Sequence, residues 1–425
     1  MDGRELRALQ IAATKPIKRT TTGWMVPSQS HDVTYKVAHP TQPNVDFTTG
    51  LTCTCPDFAD RQLPCKHIIA VEYTIRRETP AGDVVTETVK VTYTQDWTAY
   101  NRGQCEEKER FLPMLADLCA TIPQPPQGNG RPRLPMSDMA FAAVSKVYSG
   151  LSARRFDTDI RDNAAKGLTV QDPHFNSVLR YPRSPEMTVA LESLVTLSAL
   201  PLRAVESDFA VDSTGFSTCR YVRWYDHKWG KEQVKREWVK LHAMVGVQTN
   251  IVTAVEMSDW KGADSPHFQP LVAATGEHFA MREVSADKAY SGKKNLQAVM
   301  DAGATPFVPF KASRKGDGIP AVYDGGTAPP LPANASAWVK MYHYFAYQRD
   351  TFLTHYHKRS NVETTFSMIK RKFGDSLRSK SDTGQFNEVL CKVVCHNLCV
   401  LIACIHEIGL DVPAFTPAPQ VAELH

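Results

Sequence analysis

Residues 356–370 have the sequence Tyr356-His-Lys-Arg359-Ser-Asn-Val-Glu363-Thr-Thr-Phe-Ser-Met-Ile-Lys370. On an α-helix, which turns about 100° per residue, the four numbered side chains fall within about 60° of one another. The large apolar residues form an adjacent stripe, at Val362, Phe366, Ile369 and Phe373. The segment therefore predicts an amphipathic helix that docks on a sheet and directs Glu363 inward, between two cations and a phenol.

Two aspartates upstream follow short apolar segments that predict strands. Asp212 ends Phe209-Ala-Val-Asp, and Asp287 ends Val284-Ser-Ala-Asp. Each alone is more often a turn or cap residue. On neighbouring strands, however, two carboxylates can hold Mg²⁺ or Mn²⁺ through oxygen ligands, as metal-assisted phosphoryl transfer requires.

The pattern around these residues predicts an α/β fold with a mixed sheet. Further strands are expected over 238–247, 251–257 and 305–310, and a helix over 293–302. Strands that run on and then alternate with helices are typical of that class. Residues 311–336, with four prolines and four glycines, indicate an inserted loop, and residues 359–408 are expected to be largely helical.

Asp212 within Ala-Val-Asp-Ser-Thr-Gly, Asp287 within Ala-Asp-Lys-Ala-Tyr, and the spacing from Tyr356 to Lys370 together resemble DDE transposases of bacterial insertion sequences, in the group with a Y-R-E-K signature. The resemblance covers about residues 130–405. It implies a ribonuclease H-like catalytic domain, placed at residues 206–408, that cleaves transposon ends and joins them to target DNA.

The resemblance also implies a role for each matched residue. Asp212, Asp287 and Glu363 would be the catalytic triad that binds magnesium. Arg359 and Lys370 would hold double-stranded DNA by its phosphates, and Tyr356 would lie near the cleaved strand. A homodimer on DNA is expected, because two transposon ends must be handled.

Four metal-ligand residues lie close together near the N-terminus. Cys53-x-Cys55 and, after nine intervening residues, Cys65-x-His67 supply three thiolates and an imidazole, the ligand set of a closed structural zinc site. With the apolar run after His67, they resemble the SWIM zinc finger, over about residues 20–80. That resemblance implies a small α+β domain at residues 1–80 that binds DNA or protein.

Between the two motifs lie segments with weaker signals. We expect strands near 74–77 and 84–94, a helix over 104–119 and a Pro/Gly-rich linker at 123–135, all but the first within a connecting region at 81–135. Residues 136–205 are expected to form a helical region that is a candidate DNA contact. Residues 409–425 form a tail.

Net charge is only +4, so global charge favours no partner, but two segments concentrate cations. Residues 220–240 and 358–380 hold seven Lys or Arg each, and the first also contains several aromatic side chains, which suit phosphate pairing with base stacking. A solvated helix face is the ordinary alternative. The further candidate DNA contacts are Trp224, Lys228, Trp229, Arg371 and Lys372.

Neither a secretory signal nor a membrane span is expected, because the longest apolar tract, 393–408, is broken by polar residues. We therefore expect a cytoplasmic prokaryotic protein that joins the nucleoid when bound to DNA. Cys391, Cys395 and Cys399 recur every four residues and indicate core packing. Two alternatives to a transposase stay open: a non-catalytic DNA-binding descendant and a hydrolytic nuclease of the same fold.

Overall fold

The computed structural model describes residues 16–20, 22–28, 33–38, 51–61, 63–78, 96–130, 132–218, 238–310, 330–332 and 334–415, with Ala8, Ile11 and Ala12. The chain divides into two compact units, Met1–Asn101 and Arg102–His425. The predicted strand at 84–94, most of the inserted loop, the end of the tail, and Trp224, Lys228 and Trp229 lie outside the described residues.

The first unit has a four-stranded antiparallel sheet and two helices. Its strands, in sheet order, are β1 (Lys18–Thr20), β2 (Gly23–Pro27), β3 (Thr34–Ala38) and β4 (Thr52–Cys53), and its helices are α1 (Pro56–Arg61) and α2 (Lys66–Glu78). The strand expected near 74–77 is wrong. These residues continue α2. Ile68 and Val71, one helical turn apart, are both buried, so the helix packs an apolar face against the sheet.

The second unit contains the mixed five-stranded sheet that the sequence predicts. Its strands are β5 (Asp208–Ser217), β6 (Trp238–Gly246), β7 (Val252–Asp259), β8 (Glu283–Ala286) and β9 (Thr305–Phe307). The sheet order is β7-β6-β5-β8-β9, in which β6 is antiparallel to β5 and β7, and β8 is parallel to β5 and β9. The long strand β5 therefore lies at the centre.

Eleven helices of four residues or more are described around this sheet. They are α3 (Trp97–Ala120), α4 (Met136–Ser149), α5 (Asp157–Ala165), α6 (Phe175–Arg180), α7 (Pro185–Ala199), α8 (Phe268–Gly276), α9 (Lys293–Asp301), α10 (Ala337–Tyr347), α11 (Arg349–Tyr356), α12 (Ser360–Phe373) and α13 (Asp382–Glu407). Helices of residues 136–205 share one apolar core with the sheet, so the segment expected as a helical region packs as part of this unit.

Helix α13 is the centre of that core. It packs against α4, α7 and α12, and its length and hydropathy would allow it to cross a membrane. However, 78% of its most apolar window is buried inside the unit. Its buried Asn397 donates to Val195 O at 3.2 Å and Val252 O at 2.8 Å, and accepts from Val252 N at 3.0 Å. The helix is thus the core helix of a globular unit. Its cysteines Cys391, Cys395 and Cys399 pack in or against this core, as the sequence predicts.

Candidate active site and zinc centre

Strand pairing brings the two predicted aspartates side by side. In the parallel pair of β5 and β8, Val211 is level with Ala286, and Asp212 and Asp287 are the next residues on each chain. Asp212 accepts a hydrogen bond from Ser213 N at 2.8 Å, and Asp287 accepts one from Lys288 N at 2.7 Å. The two aspartates thus lie on neighbouring strands, as predicted. Only Asp287 follows a strand end, however: the prediction that Asp212 ends its strand is wrong, because β5 continues through pairing with β6 as far as Ser217.

Arg359 links Glu363 to Asp212. Its Nη1 donates to Asp212 Oδ2 and its Nη2 to Glu363 Oε1, each at 2.6 Å. Asp212 is 21% exposed and Glu363 57% exposed, so the bridge runs from the central strand β5 to the surface of α12. The guanidinium thereby joins two of the three predicted carboxylates across 147 positions of sequence.

The electrostatics of Asp212 reflect this crowding. Burial raises the pKa of its carboxyl, and the negative charges of Asp287 and Glu363 raise it further. The Ser213 amide and the Arg359 cation act in the opposite direction. Carboxyl groups whose pKa is raised by burial and by neighbouring acids cluster at functional sites.

The donor set fits a divalent cation. Three carboxylates offer hard oxygen ligands of the kind that Mg²⁺ and Mn²⁺ prefer. Asp212 and Asp287 are half-buried, whereas Glu363 is exposed. The expectation that Glu363 points inward is therefore wrong: its carboxylate stays at the surface of α12, where Arg359 binds it. An ion held here would therefore be bound between the central strands of the sheet and the open surface.

A tyrosine that the sequence analysis did not single out lies beside this acidic group. Tyr290 is 1% exposed, and its hydroxyl has no hydrogen-bond partner among the described residues. Burial, followed by the charges of Asp212 and Asp264, raises its pKa, so the phenol stays protonated. In the sequence, the only indication that Tyr290 belongs to the site is its position three residues after Asp287.

Lys370 reaches the same face of β5 as Asp212. Asp212, Thr214 and Phe216 alternate along the strand, and Lys370 Nζ donates to Thr214 Oγ1 at 2.6 Å. The same Nζ lies 5.4 Å from the centre of the Phe216 ring. Lys370 thus lies along the strand that carries Asp212, two residues beyond it.

The predicted single helix is interrupted before Glu363. Tyr356 ends α11, residues 357–359 form a 3-10 turn, and α12 begins at Ser360. The expectation of one unbroken helix from Tyr356 to Lys370 is therefore wrong. Arg359 nevertheless shares a face with Glu363, its i,i+4 partner, and both Arg359 and Lys370 reach β5. Burial lowers the pKa of the Arg359 guanidinium, but the neighbouring acidic groups, Asp212 foremost, outweigh it, so the pKa is raised.

A buried ion network, which the sequence did not indicate, fixes this turn. Lys358 Nζ donates to Asp208 Oδ2 and Glu283 Oε2, each at 2.8 Å. Asp208 also accepts from Arg282, and Glu283 pairs with His355. Because Asp208 and Glu283 begin β5 and β8, the network ties the turn that carries Arg359 to both strands.

The remaining basic residues of 358–380 do not form one DNA-facing surface. Lys372 Nζ pairs with Glu107 and donates to Cys399 Sγ at 3.4 Å, so it does not present a free cation. Arg378 donates to Leu151 O at 3.0 Å, whereas Arg371 is exposed. Of the two neighbours predicted to contact DNA, only Arg371 is open to a partner.

The Cys/His group is assembled in the first unit. The ligand atoms of Cys53, Cys55, Cys65 and His67 all lie within 4.8 Å of one another, and all four residues are buried. His67 Nδ1 is 3.9 Å from Cys53 Sγ and 3.8 Å from Cys65 Sγ. These distances fit the edges of a tetrahedron with Zn–S bonds of about 2.3 Å.

The protonation of this group also suits a metal. Hydrogen bonds from Cys53, and then from His67, lower the pKa of the Cys65 thiol to about 4. The hydrogen bond with Cys65 and burial raise the pKa of Cys53. A thiolate held among buried thiols is a ligand set that releases its remaining protons when a metal binds.

Two family models match the chain. Residues 203–398 match the transposase DDE domain, a span that includes Asp212, Asp287 and Glu363. Residues 45–76 match the SWIM zinc finger, a span that includes the three cysteines and His67 and supports a structural zinc ion there. This chain therefore carries a transposase DDE domain of ribonuclease H-like fold, preceded by a SWIM zinc finger.

Proposed function

We propose that the protein is an active DNA transposase that uses a divalent cation to cleave transposon ends and transfer them into target DNA. The observation that carries the proposal is the convergence of Asp212, Asp287 and the Arg359–Glu363 pair within a transposase DDE domain. A DDE domain implies DNA as partner. A protein that only bound DNA would have no need of three carboxylates around one point.

Asp212, Asp287 and Glu363 would hold the divalent cation, Mg²⁺ or Mn²⁺. When bound, it would supply Lewis-acid activation of the attacking hydroxyl and charge stabilisation of the leaving oxygen. Asp212 and Asp287 are held level by the β5–β8 register, and each is fixed by a backbone amide. Such orientation before substrate binding is a large part of what a site can contribute to rate.

The cations of the site would then align the DNA. Lys370 and Arg359 flank Asp212 from along β5 and from the 3-10 turn, and their charges suit two phosphates of one strand. Tyr290 would keep a protonated hydroxyl beside the carboxylates and donate a hydrogen bond there. Tyr356 and exposed Arg371 would add contacts outside the site.

Two finer assignments extend the proposal. The zinc unit would bind DNA or another protein, since a closed four-ligand site stabilises a small fold rather than performing chemistry. The active species would be a homodimer, because two transposon ends must be paired before joining. It would work in the cytoplasm of a prokaryote, at the nucleoid.

The test is cleavage and joining of labelled DNA that carries the inverted repeats flanking the gene, with Mg²⁺ or Mn²⁺. Glu363→Gln keeps the size of the side chain and removes its charge, and Glu277→Gln changes an exposed glutamate elsewhere. We expect Glu363→Gln to slow cleavage by more than ~100-fold, because outer partners of metal ligands alone are worth ~10–100-fold. The control should cut normally.

Each other outcome identifies an alternative. Cleavage without joining would indicate a hydrolytic nuclease. Binding by the wild type and by both variants, with cleavage by none of them under either metal, would indicate a DNA-binding module that has lost its chemistry. Only cleavage and joining that depend on Glu363 support the transposase.

A further inference from the structure

A lysine in the core of the second unit has an unusual set of partners. Lys392 on α13 is 2% exposed, and its Nζ donates to Gly374 O at 2.7 Å and Ser376 O at 3.0 Å. Among the described residues, no carboxylate lies within ion-pair distance of it. Burial lowers its pKa to about 8, so the amine remains largely protonated at pH 7. A buried cation is costly, so its position calls for a physical role.

The two carbonyls belong to the segment that follows α12. Gly374 ends this helix with a φ of 85°, a conformation that favours glycine. The next residues then pair with the end of β5: Ser217 N donates to Asp375 O at 3.0 Å, and Leu377 N donates to Ser217 O at 2.9 Å. Lys392 therefore fixes the C-terminal end of α12 against β5, and a cation is also favourable at a helix C-terminus.

An aromatic ring connects Lys392 with Lys370. Lys392 Nζ lies 5.2 Å from the centre of the Phe216 ring, and Lys370 Nζ lies 5.4 Å from it. Phe216 is fully buried, so the ring cannot move away from either ammonium group without disturbing the core. Lys370 is then held on its other side by Thr214 Oγ1 at 2.6 Å.

We infer that Lys392 is a positioning residue for Lys370, which it holds at the face of β5 through the end of α12 and the Phe216 ring. The buried amine contacts both supports of Lys370: the segment that ends its helix and the ring against which its ammonium lies. The consequence for DNA rests on the proposed function. If Lys370 holds a phosphate, Lys392 contributes to DNA binding without touching DNA.

The first test needs no DNA. Acetylation rates of individual lysines are measured by mass spectrometry at pH 7 in the full chain, with Lys392→Met, which keeps an apolar stem and removes the charge. We expect Lys370 to react several-fold faster than in the wild type, while exposed Lys293 reacts at the same rate. Val393→Ala, at the next buried position of α13, is the control for general loosening and should leave Lys370 protected.

Unchanged reactivity of Lys370 in folded Lys392→Met, or an equal increase in Val393→Ala, would overturn the inference. If Lys392→Met does not fold, Phe216→Leu takes its place, since it removes the ring between the two ammonium groups. The same increase at Lys370 is expected, and its absence would count equally against the inference.

The second test is the salt dependence of DNA affinity. One lost phosphate contact lowers the slope of log K against log salt by about 0.9. We expect Lys370→Met to lower this slope by about 0.9 and Lys392→Met to lower it by nearly as much. The double variant should have the same slope as Lys370→Met alone. Additive losses would refute action through Lys370. A different result is that Lys370→Met leaves the slope unchanged while Lys392→Met still speeds the acetylation of Lys370. That result would support the positioning of Lys370 by Lys392 and refute a DNA contact by Lys370.

Discussion

Arg359 occupies the position between two carboxylates that a divalent cation is proposed to share. Its two hydrogen bonds, to Asp212 and Glu363, must be given up if both carboxylates turn to an ion. Arg359→Gln removes this internal competitor and keeps a side chain of moderate length. We therefore expect the free protein to bind Mn²⁺ more tightly when Arg359 is replaced.

The magnitude follows from the two contacts. The bond to Asp212 is charged and about four-fifths buried at both ends, and such bonds contribute roughly 2 kcal/mol. The bond to Glu363 is an i,i+4 pair with a carboxylate that is 57% exposed, worth about 0.4 kcal/mol after solvent screening. Together they correspond to about 50-fold in affinity.

The assay is titration of Mn²⁺ into the DNA-free protein, followed by electron paramagnetic resonance of the free ion. It is run near pH 8, because the pKa of Asp212 is raised and the carboxyl must be ionised. Arg371→Gln makes the same change of charge at an exposed position of α12 and should alter the affinity by a few-fold at most. DNA cleavage by Arg359→Gln should nevertheless fall, since the proposed phosphate contact is lost.

An affinity of Arg359→Gln equal to or weaker than that of Arg371→Gln would refute this reasoning. In that case the guanidinium would support the ion site rather than compete for it. Tighter Mn²⁺ binding together with unimpaired cleavage would keep the competition but remove Arg359 from the DNA contacts.

Two further predictions concern pH and zinc. Burial lowers the pKa of His396 to about 4 from its ordinary 6.5, so the stability that the neutral ring contributes is complete above pH 6.5 and is lost as pH falls towards 4. Between pH 7 and pH 5, the free energy of unfolding in urea should therefore fall by about 2 kcal/mol less in His396→Gln than in the wild type. An equal fall in both proteins would contradict this prediction. Elemental analysis of the purified protein should find one zinc ion per chain. The Cys65→Ser variant should lose this zinc, whereas Cys105→Ser, which changes an exposed cysteine elsewhere, should keep it. A wild-type protein without zinc would exclude the site.

The strands and helices around the triad were largely predictable. Val284-Ser-Ala and Phe209-Ala-Val are short apolar runs before an aspartate, and both lie in strands of the structure and are buried. The second strand, however, runs past Asp212 to Ser217, which its apolar run did not indicate. Helix α9 begins at the predicted residue and ends one residue earlier than predicted, and α4 and α7 lie within the region predicted to be helical. Local periodicity was sufficient there because each element has one clear apolar face.

Periodicity failed where a local deviation or a competing pattern decided the conformation. The wheel through Tyr356 and Glu363 assumed an unbroken helix, but Lys358 is drawn to Asp208 and Glu283, and a 3-10 turn accommodates it. The residues near 74–77 alternate like a strand, yet they continue the helix that begins at Lys66. The first turns of this helix already bury Ile68 and Val71 in the core, and the following residues extend it.

The sequence by itself determined the chemistry of this protein: which carboxylates and which thiolates are present, and in which order and spacing. Only the tertiary structure decided the partner of each cation. Lys372 pairs with Glu107, 265 positions away, Arg359 with Asp212, 147 positions away, and Lys392 with two backbone carbonyls. Residue type limits what a side chain can bind, but a buried charge binds whichever partner the packed core brings within reach, and sequence spacing does not encode that distance.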